Sequence, residues 1–181
     1  DRSHRVALVG PGRLAAVHHG YAKNVSNARV VAVCDADRER AEEFAQERNI
    51  PAFYDDIEEL LRKEQPNIVH IVTPPATHAR LAVTAMEGGA NVMVEKPMAM
   101  SVTECDEMIA ACDNANVKLG VAYYRPFYPV IHRMRDLIDA GFGDLIAIDL
   151  HSIDVPAAVQ KAGLASQADA RYADYHKLAM G

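Results

Sequence analysis

Two apolar runs in this chain each end in residues suited to phosphate or sugar chemistry. Val6-Ala7-Leu8-Val9 leads into Gly10-Pro11-Gly12-Arg13-Leu14-Ala15, and Val30-Val31-Ala32-Val33-Cys34 leads into Asp35, twenty-five residues after Gly10. A strand, a glycine turn, a helix and a second strand closed by a carboxylate form the plan of a dinucleotide site. The turn lets a pyrophosphate approach the backbone at a helix N-terminus, and the acid accepts hydrogen bonds from the adenosine ribose. Gly10 permits a tight turn, Gly12 permits close approach of phosphate, and Ala15 is small enough for helix and strand to pack. Pro11 has no N–H, so the loop has one donor fewer. Gly10, Gly12, Arg13, Leu14 and Asp35 are therefore candidate cofactor contacts. Asp35 favours NAD over NADP, because a carboxylate repels a 2′-phosphate and offers it no donor. Arg38, three residues on, either pairs with a phosphate or is a solvated helix charge.

A second constellation is Glu95-Lys96-Pro97, directly after the apolar run Ala90 to Val94. A lysine can hold or move a proton when desolvation lowers its pKa, and Glu95 can orient the ammonium. The bland reading of Lys96 is an ordinary surface lysine. Pro97 locks the turn and is a candidate for a cis bond. Thr73-Pro74-Pro75 with Thr77 and His78 forms a stiff turn after another apolar run, beside the expected nicotinamide position, so Thr73 and Pro74 are candidate cofactor contacts. There His78 either touches substrate or cofactor, or follows Thr77 as a simple helix cap. His18 reads as a packing or capping histidine. Tyr123-Tyr124-Arg125-Pro126-Phe127-Tyr128-Pro129 is dense in aromatics. Arg125 could hold substrate or cofactor, and the stretch could equally be a hinge between domains. The eight histidines show no HxxxH or HExxH spacing, so no metal site is expected.

The elements that must position these residues alternate. Strands are expected at Val6–Val9, Arg29–Cys34, Ala52–Phe53, Ile68–Val72, Ala90–Val94 and Val117–Val121. Helices are expected at Gly12–Val25, Asp37–Arg48, Asp55 to about Lys63, Thr77–Glu87 and Ser101 to about Asn114. Asp55 is the expected cap of the third helix, and Ser101 with Glu104 makes a capping box. Short connections between alternating strands and helices imply α/β architecture, a doubly wound parallel sheet covered on both faces. Ligands of such sheets lie at the carboxyl ends of the strands. Gly10, Asp35, Thr73 and Glu95 all follow strands there.

After Val121 the pattern changes. Phe127, Val130, Ile131, Met134, Leu137 and Ile138 mark an amphipathic helix, and Leu145–Leu150 reads as a strand. Residues 157–181 are rich in alanine. The expected division is a dinucleotide-binding domain over 1–122 and the start of an incomplete second α/β domain over 123–181. A lone apolar strand at 145–150 is an association hazard, so a homo-oligomer, or poor solubility unless another chain covers the strand, is expected.

Composition narrows the class. The net charge of −6 over 181 residues argues against nucleic acid as a partner. No apolar stretch reaches the roughly 18 residues of a membrane span. Cys34, Cys105 and Cys112 form no CxxC pair, which fits a reduced, cytoplasmic protein. The chain starts at Asp1, so sequence upstream is expected.

Together the glycine turn ending in Val17-His18, Val33-Cys34-Asp35, Thr73-Pro74-Pro75 with His78, and Glu95-Lys96-Pro97 resemble the glucose-fructose oxidoreductase/inositol dehydrogenase (Gfo/Idh/MocA) family of NAD(P)-dependent oxidoreductases. Gly120 to Arg125, Pro129 and Gly141-Phe142-Gly143-Asp144 look like that family's passage into its second domain. The resemblance covers about Arg5 to Leu150. It implies a Rossmann domain followed by an α/β domain with a mostly antiparallel sheet. It implies hydride transfer between nicotinamide and a hydroxyl-bearing carbon of a sugar, inositol or similar polyol. It implies that Lys96 is catalytic, placing the reacting oxygen and shuttling its proton. Family members usually exceed 300 residues and carry an Asp-x-x-x-His pair after a glycine-rich stretch. No such pair lies between Leu150 and Gly181; Asp174-Tyr175-His176 has the wrong spacing. The alternative is a dinucleotide-binding sensor or regulator without catalysis.

Overall fold

Six short apolar runs become the strands of one parallel sheet. The structure, a computed structural model, describes residues 4–141 and 143. In chain order the first elements are β1 (His4–Val9), α1 (Arg13–Lys23), β2 (Ala28–Cys34), α2 (Arg38–Arg48), β3 (Ala52–Tyr54) and α3 (Ile57–Glu64). They continue as β4 (Ile68–Ile71), α4 (His78–Glu87), β5 (Asn91–Val94), α5 (Val102–Ala115) and β6 (Leu119–Val121). The strands lie in the order β3-β2-β1-β4-β5-β6 and every pair is parallel. This is the Rossmann order, in which the succession of strands reverses between β1 and β4. The expected doubly wound α/β unit is present.

Side chains alternate across β1 and feed two cores. Ala7 and Val9 pack on one face with Leu60, Met86 and Met108. Val6 and Leu8 pack on the other with Ala15, Phe44 and Ala45. Both faces are thus covered, which is why the strands read as unbroken apolar runs.

Caps set the helix starts. Asp37 accepts from the Arg40 amide, Asp56 from Glu59, and Ser101 from Glu104. Each such cap contributes about 1 kcal/mol. Asp56, not the expected Asp55, caps α3; the Asp55 carboxylate pairs with Arg38 at 3.5 Å instead. The Glu104 carboxylate reaches back to the Met100 amide at 2.7 Å, one residue beyond the capping residue. β5 starts one residue later than its sequence signal, because the Ala90 amide donates back to Ala85 O at the end of α4.

The first compact unit runs through Tyr123, and the second begins at Tyr124. In the second, a 3-10 turn spans Arg125–Phe127 and α6 spans Pro129–Asp139. Pro129 opens α6 at the first helical position, where its missing N–H costs nothing. The expected strand at 145–150 and the alanine-rich stretch at 157–181 lie outside the described residues. Among the described residues no helix is long and apolar enough to cross a membrane.

Candidate functional site

Five backbone bonds extend the sheet one step past its carboxyl edge. Gly10 N donates to Cys34 O, Val72 N to Val9 O, Glu95 N to Ile71 O and Ala122 N to Val94 O, each at 2.9 Å; Asp35 N donates to Tyr54 O at 3.1 Å. These bonds hold the glycine turn, the Asp35 end, the Thr73 turn and the Glu95-Lys96 turn along one edge.

The glycine turn fits its expected task. Gly10 has φ +95°, a conformation that favours glycine. A Cβ there would lie 2.6 Å from Thr73 Cγ2 and 2.9 Å from Thr73 N. The turn therefore rests directly on the turn after β4. Gly12 is the N-cap of α1 and gives the helix no side-chain cap. A Cβ at Gly12 would meet nothing within 4 Å. The first amides of α1 thus open on free space, where a pyrophosphate can take them. Arg13 and Leu14 occupy that first turn and are exposed, while Ala15 is fully buried against the sheet.

Asp35 is largely enclosed, with 13% of its side chain exposed. Its Oδ1 accepts from the Asp37 amide at 2.9 Å, and its Oδ2 lies 3.4 Å from Arg40. Arg40 also pairs with Asp37 at 3.1 Å. Arg38, the arginine singled out in the sequence, turns to Asp55 and lies over the Phe53 ring. The basic group beside Asp35 is therefore Arg40. Its signal in the sequence was its position three residues after the capping Asp37, which folds it back on the cap.

After β4, Pro75–Thr77 form a 3-10 turn with Pro74 before it. Thr77 Oγ1 lies 2.8 Å from Thr73 Oγ1 and 2.9 Å from Pro74 O, so the hydroxyl ties the turn together and does not cap α4. His78 is fully buried. Its Nδ1 faces Pro97 O at 2.9 Å and its Nε2 faces Thr73 O at 2.8 Å. His78, expected as a ligand contact, thus turns its ring nitrogens to backbone carbonyls. The ring lies between two carbonyls, and as a neutral imidazole it donates to one of them, which packs the Thr73 turn against the Lys96-Pro97 turn.

The Lys96–Pro97 peptide is cis. Lys96 is exposed at the sheet edge, and Glu95 beside it is buried. Glu95 Oε2 accepts from the Lys96 amide at 3.1 Å, and Oε1 lies 3.1 Å from His18 Nε2. His18 Nδ1 lies 3.1 Å from His70 Nδ1, the rings meeting edge to face. Burial, then the neighbouring His18, push His70 down to about 4. His70 escaped sequence reasoning, although a histidine inside Ile68-Val69-His70-Ile71 is a polar break in a buried strand. His18 is thus more than a packing residue. Arg125 belongs to the second unit, in its 3-10 turn.

Two further groups bear on chemistry. Burial and then the nearby acids Asp56, Asp35 and Asp55 push the Cys34 thiol up to about 12, which leaves it inert. A shallow groove of about 700 Å³ lies at the opposite edge of the sheet, bordered by Leu61, Gln65, Asn67, Thr84 and Gly88. None of the strand-end residues reaches it. Among the described residues no three His, Cys, Asp or Glu side chains cluster as metal ligands.

Comparison with known proteins agrees with this geometry. Residues 4–123 match the family described as "Oxidoreductase family, NAD-binding Rossmann fold", the GFO_IDH_MocA family. The chain is 35% identical over 141 residues to the scyllo-inositol 2-dehydrogenase (NAD(+)) of Bacillus subtilis, covering 76% of this chain and 40% of that one. It is 32% identical over 138 residues to the trans-1,2-dihydrobenzene-1,2-diol dehydrogenase of Xenopus tropicalis, covering 74% and 42%. The WlbA dehydrogenase of Bordetella pertussis, solved with NADH and UDP-GlcNAcA, superposes with a TM-score of 0.73 at 26% identity, covering 77% and 43%. The chain thus spans less than half the length of these relatives. On the strength of its matching domain and the residues at its sheet edge, the chain belongs to the Gfo/Idh/MocA family of NAD-binding oxidoreductases.

Proposed function

We propose that the chain carries the cofactor-binding part of an NAD-dependent dehydrogenase. Its substrate would be a sugar, inositol or similar polyol. One observation carries the reading: the Gly10 turn, Asp35, the Thr73 turn and Lys96 stand along a single sheet edge, each held by a strand-end bond. The relatives named inositol and diol dehydrogenases support the substrate class.

Bound nicotinamide would supply the hydride acceptor or donor, a two-electron carrier no side chain replaces. The chain's own residues do the rest. The first amides of α1, beyond Gly12, bind the pyrophosphate, and Arg13 and Leu14 flank it. Asp35 accepts from the ribose hydroxyls and disfavours a 2′-phosphate. Thr73 and Pro74 form the wall on which Gly10 rests. His78 braces that wall against the Lys96 turn. Lys96 Nζ orients the reacting oxygen and holds or passes its proton, while Glu95 fixes the turn. Arg125 is assigned to substrate or cofactor. Three free cysteines support a cytoplasmic setting, and exposed Phe127, Val130 and Met134 support a homo-oligomer.

The reading is tested by following polyol-dependent nicotinamide reduction with Lys96→Ala beside the parent. Turnover that is lost with Lys96 supports it. Absence of reduction across a polyol and sugar panel overturns the substrate class, and unchanged turnover in Lys96→Ala overturns the role of Lys96.

A further inference from the structure

Glu95 fixes the Lys96 turn, but the two histidines behind it, His18 and His70, have no part in the steps proposed above. The three side chains come from α1, β4 and the turn after β5. Both contacts are 3.1 Å, and only 15% of the His18 and 12% of the Glu95 side chain is exposed. The three side chains are thus largely enclosed.

Proton inventory sets the direction. Glu95 Oε2 already accepts from the Lys96 amide. A carboxylate offers acceptors only, so Oε1 takes its bond from His18 Nε2–H. A neutral imidazole has one N–H, which leaves His18 Nδ1 as an acceptor. The atom facing it is His70 Nδ1, and only one hydrogen fits between two nitrogens 3.1 Å apart. With a neutral His18, His70 is the donor.

We propose that His70 Nδ1–H donates to His18 Nδ1 and His18 Nε2–H donates to Glu95 Oε1, a directed chain that makes both histidines positioning residues for the Glu95-Lys96 turn. The depressed titration of His70 agrees with a neutral donor at its head. The chain spans three elements in a row. It joins the helix that opens the phosphate site to the turn that carries Lys96. Its functional meaning rests on the role proposed for Lys96; its geometry does not.

The test is nuclear magnetic resonance of the ¹⁵N-histidine-labelled chain at pH 8. Expected are the Nε2–H tautomer for His18, the Nδ1–H tautomer for His70, and a scalar coupling between the two Nδ1 nuclei across the hydrogen bond. The reverse tautomers, or no coupling, overturn the proposal. Three variants separate positioning from packing. His70→Asn keeps a donor near the Nδ1 position and is expected to hold the His18 tautomer, whereas His70→Leu releases it to a mixture. His18→Gln keeps a donor toward Glu95; His18→Leu does not. Hydrogen exchange of the Lys96 amide is expected to quicken about tenfold in His18→Leu, the loss of one charge-assisted bond, and to return in His18→Gln. Equal exchange in the Gln and Leu variants overturns the positioning role. NADH titration of the same samples keeps the two readings apart. A parent that shows the coupling but binds no NADH refutes the dehydrogenase reading and leaves the chain of bonds intact.

Discussion

Gly10 and Thr73 touch backbone to backbone: a single methyl on Gly10 would fall 2.9 Å from Thr73 N. This contact joins the first turn of the dinucleotide site to the turn after β4. Gly10→Ala must move the Thr73 backbone and also hold alanine at a positive φ. The expected cost is about 1–3 kcal/mol, visible as a lowered midpoint in thermal unfolding, together with weaker NADH binding. Gly12→Ala is the control. Its backbone is extended and its Cβ meets nothing, so stability is expected to hold while NADH affinity falls. Equal stability of the two variants would argue against the Gly10–Thr73 contact.

The Asp35–Arg40 contact gives a prediction about cofactor choice. In Asp35→Ser the negative charge is gone and Arg40 is released from its 3.4 Å contact. The ratio of NADPH to NADH affinity is expected to rise roughly 10- to 100-fold, the range of one hydrogen bond to a charged group. Adding Arg40→Ala is expected to cancel most of that gain, whereas adding Arg38→Ala is not, because Arg38 pairs with Asp55. Fluorescence titration with both cofactors decides. An effect of Arg38 as large as that of Arg40 would contradict the geometry.

Acid stability reports on His70. The unfolded chain takes up a proton near 6.5, whereas burial holds the folded side chain, which faces His18, unprotonated down to about 4. The unfolded state therefore binds more protons in this window. The contribution is fully present above pH 6.5 and is lost as the pH falls toward 4, to a total of roughly 3 kcal/mol at most. Denaturant unfolding between pH 7 and pH 4 is expected to show this decline in the parent and a shallower one in His70→Asn. Parallel profiles would show that His70 titrates freely.

Thiol labelling gives an independent check on burial. Cys34 is only 3% exposed and its thiol is pushed up to about 12. Cys105 and Cys112 are half-buried. Under native conditions iodoacetamide is expected to label Cys105 and Cys112 well before Cys34, as read by peptide mass spectrometry. Prompt labelling of Cys34 would mean that β2 opens locally.

Most of the sheet edge was legible because parallel strands are written as unbroken apolar runs and each ends in a glycine, an acid or a proline turn. Those runs located Gly10, Asp35, Thr73 and Glu95 correctly at one edge. What escaped depends on side-chain direction. Arg38 and Arg40 lie two apart on one helix, and only the fold shows that Arg40 turns to Asp35. Asp55 and Asp56 are chemically equivalent caps in sequence; the path of the chain after β3 gives the cap to Asp56. His78 has a ligand-binding residue type, yet a carbonyl waits at each of its nitrogens. The His70–His18–Glu95 contact joins residues 52 and 77 positions apart, a relation no local pattern encodes.

The most direct test is calorimetric titration of the 181-residue chain with NADH and, separately, NADPH. The geometry predicts binding of NADH, weaker binding of NADPH, and loss of the NADH signal when a side chain fills the space before α1 in Gly12→Val. A chain that binds neither cofactor at millimolar concentration, or binds NADH equally well as Gly12→Val, would contradict the assignment of this sheet edge as the dinucleotide site.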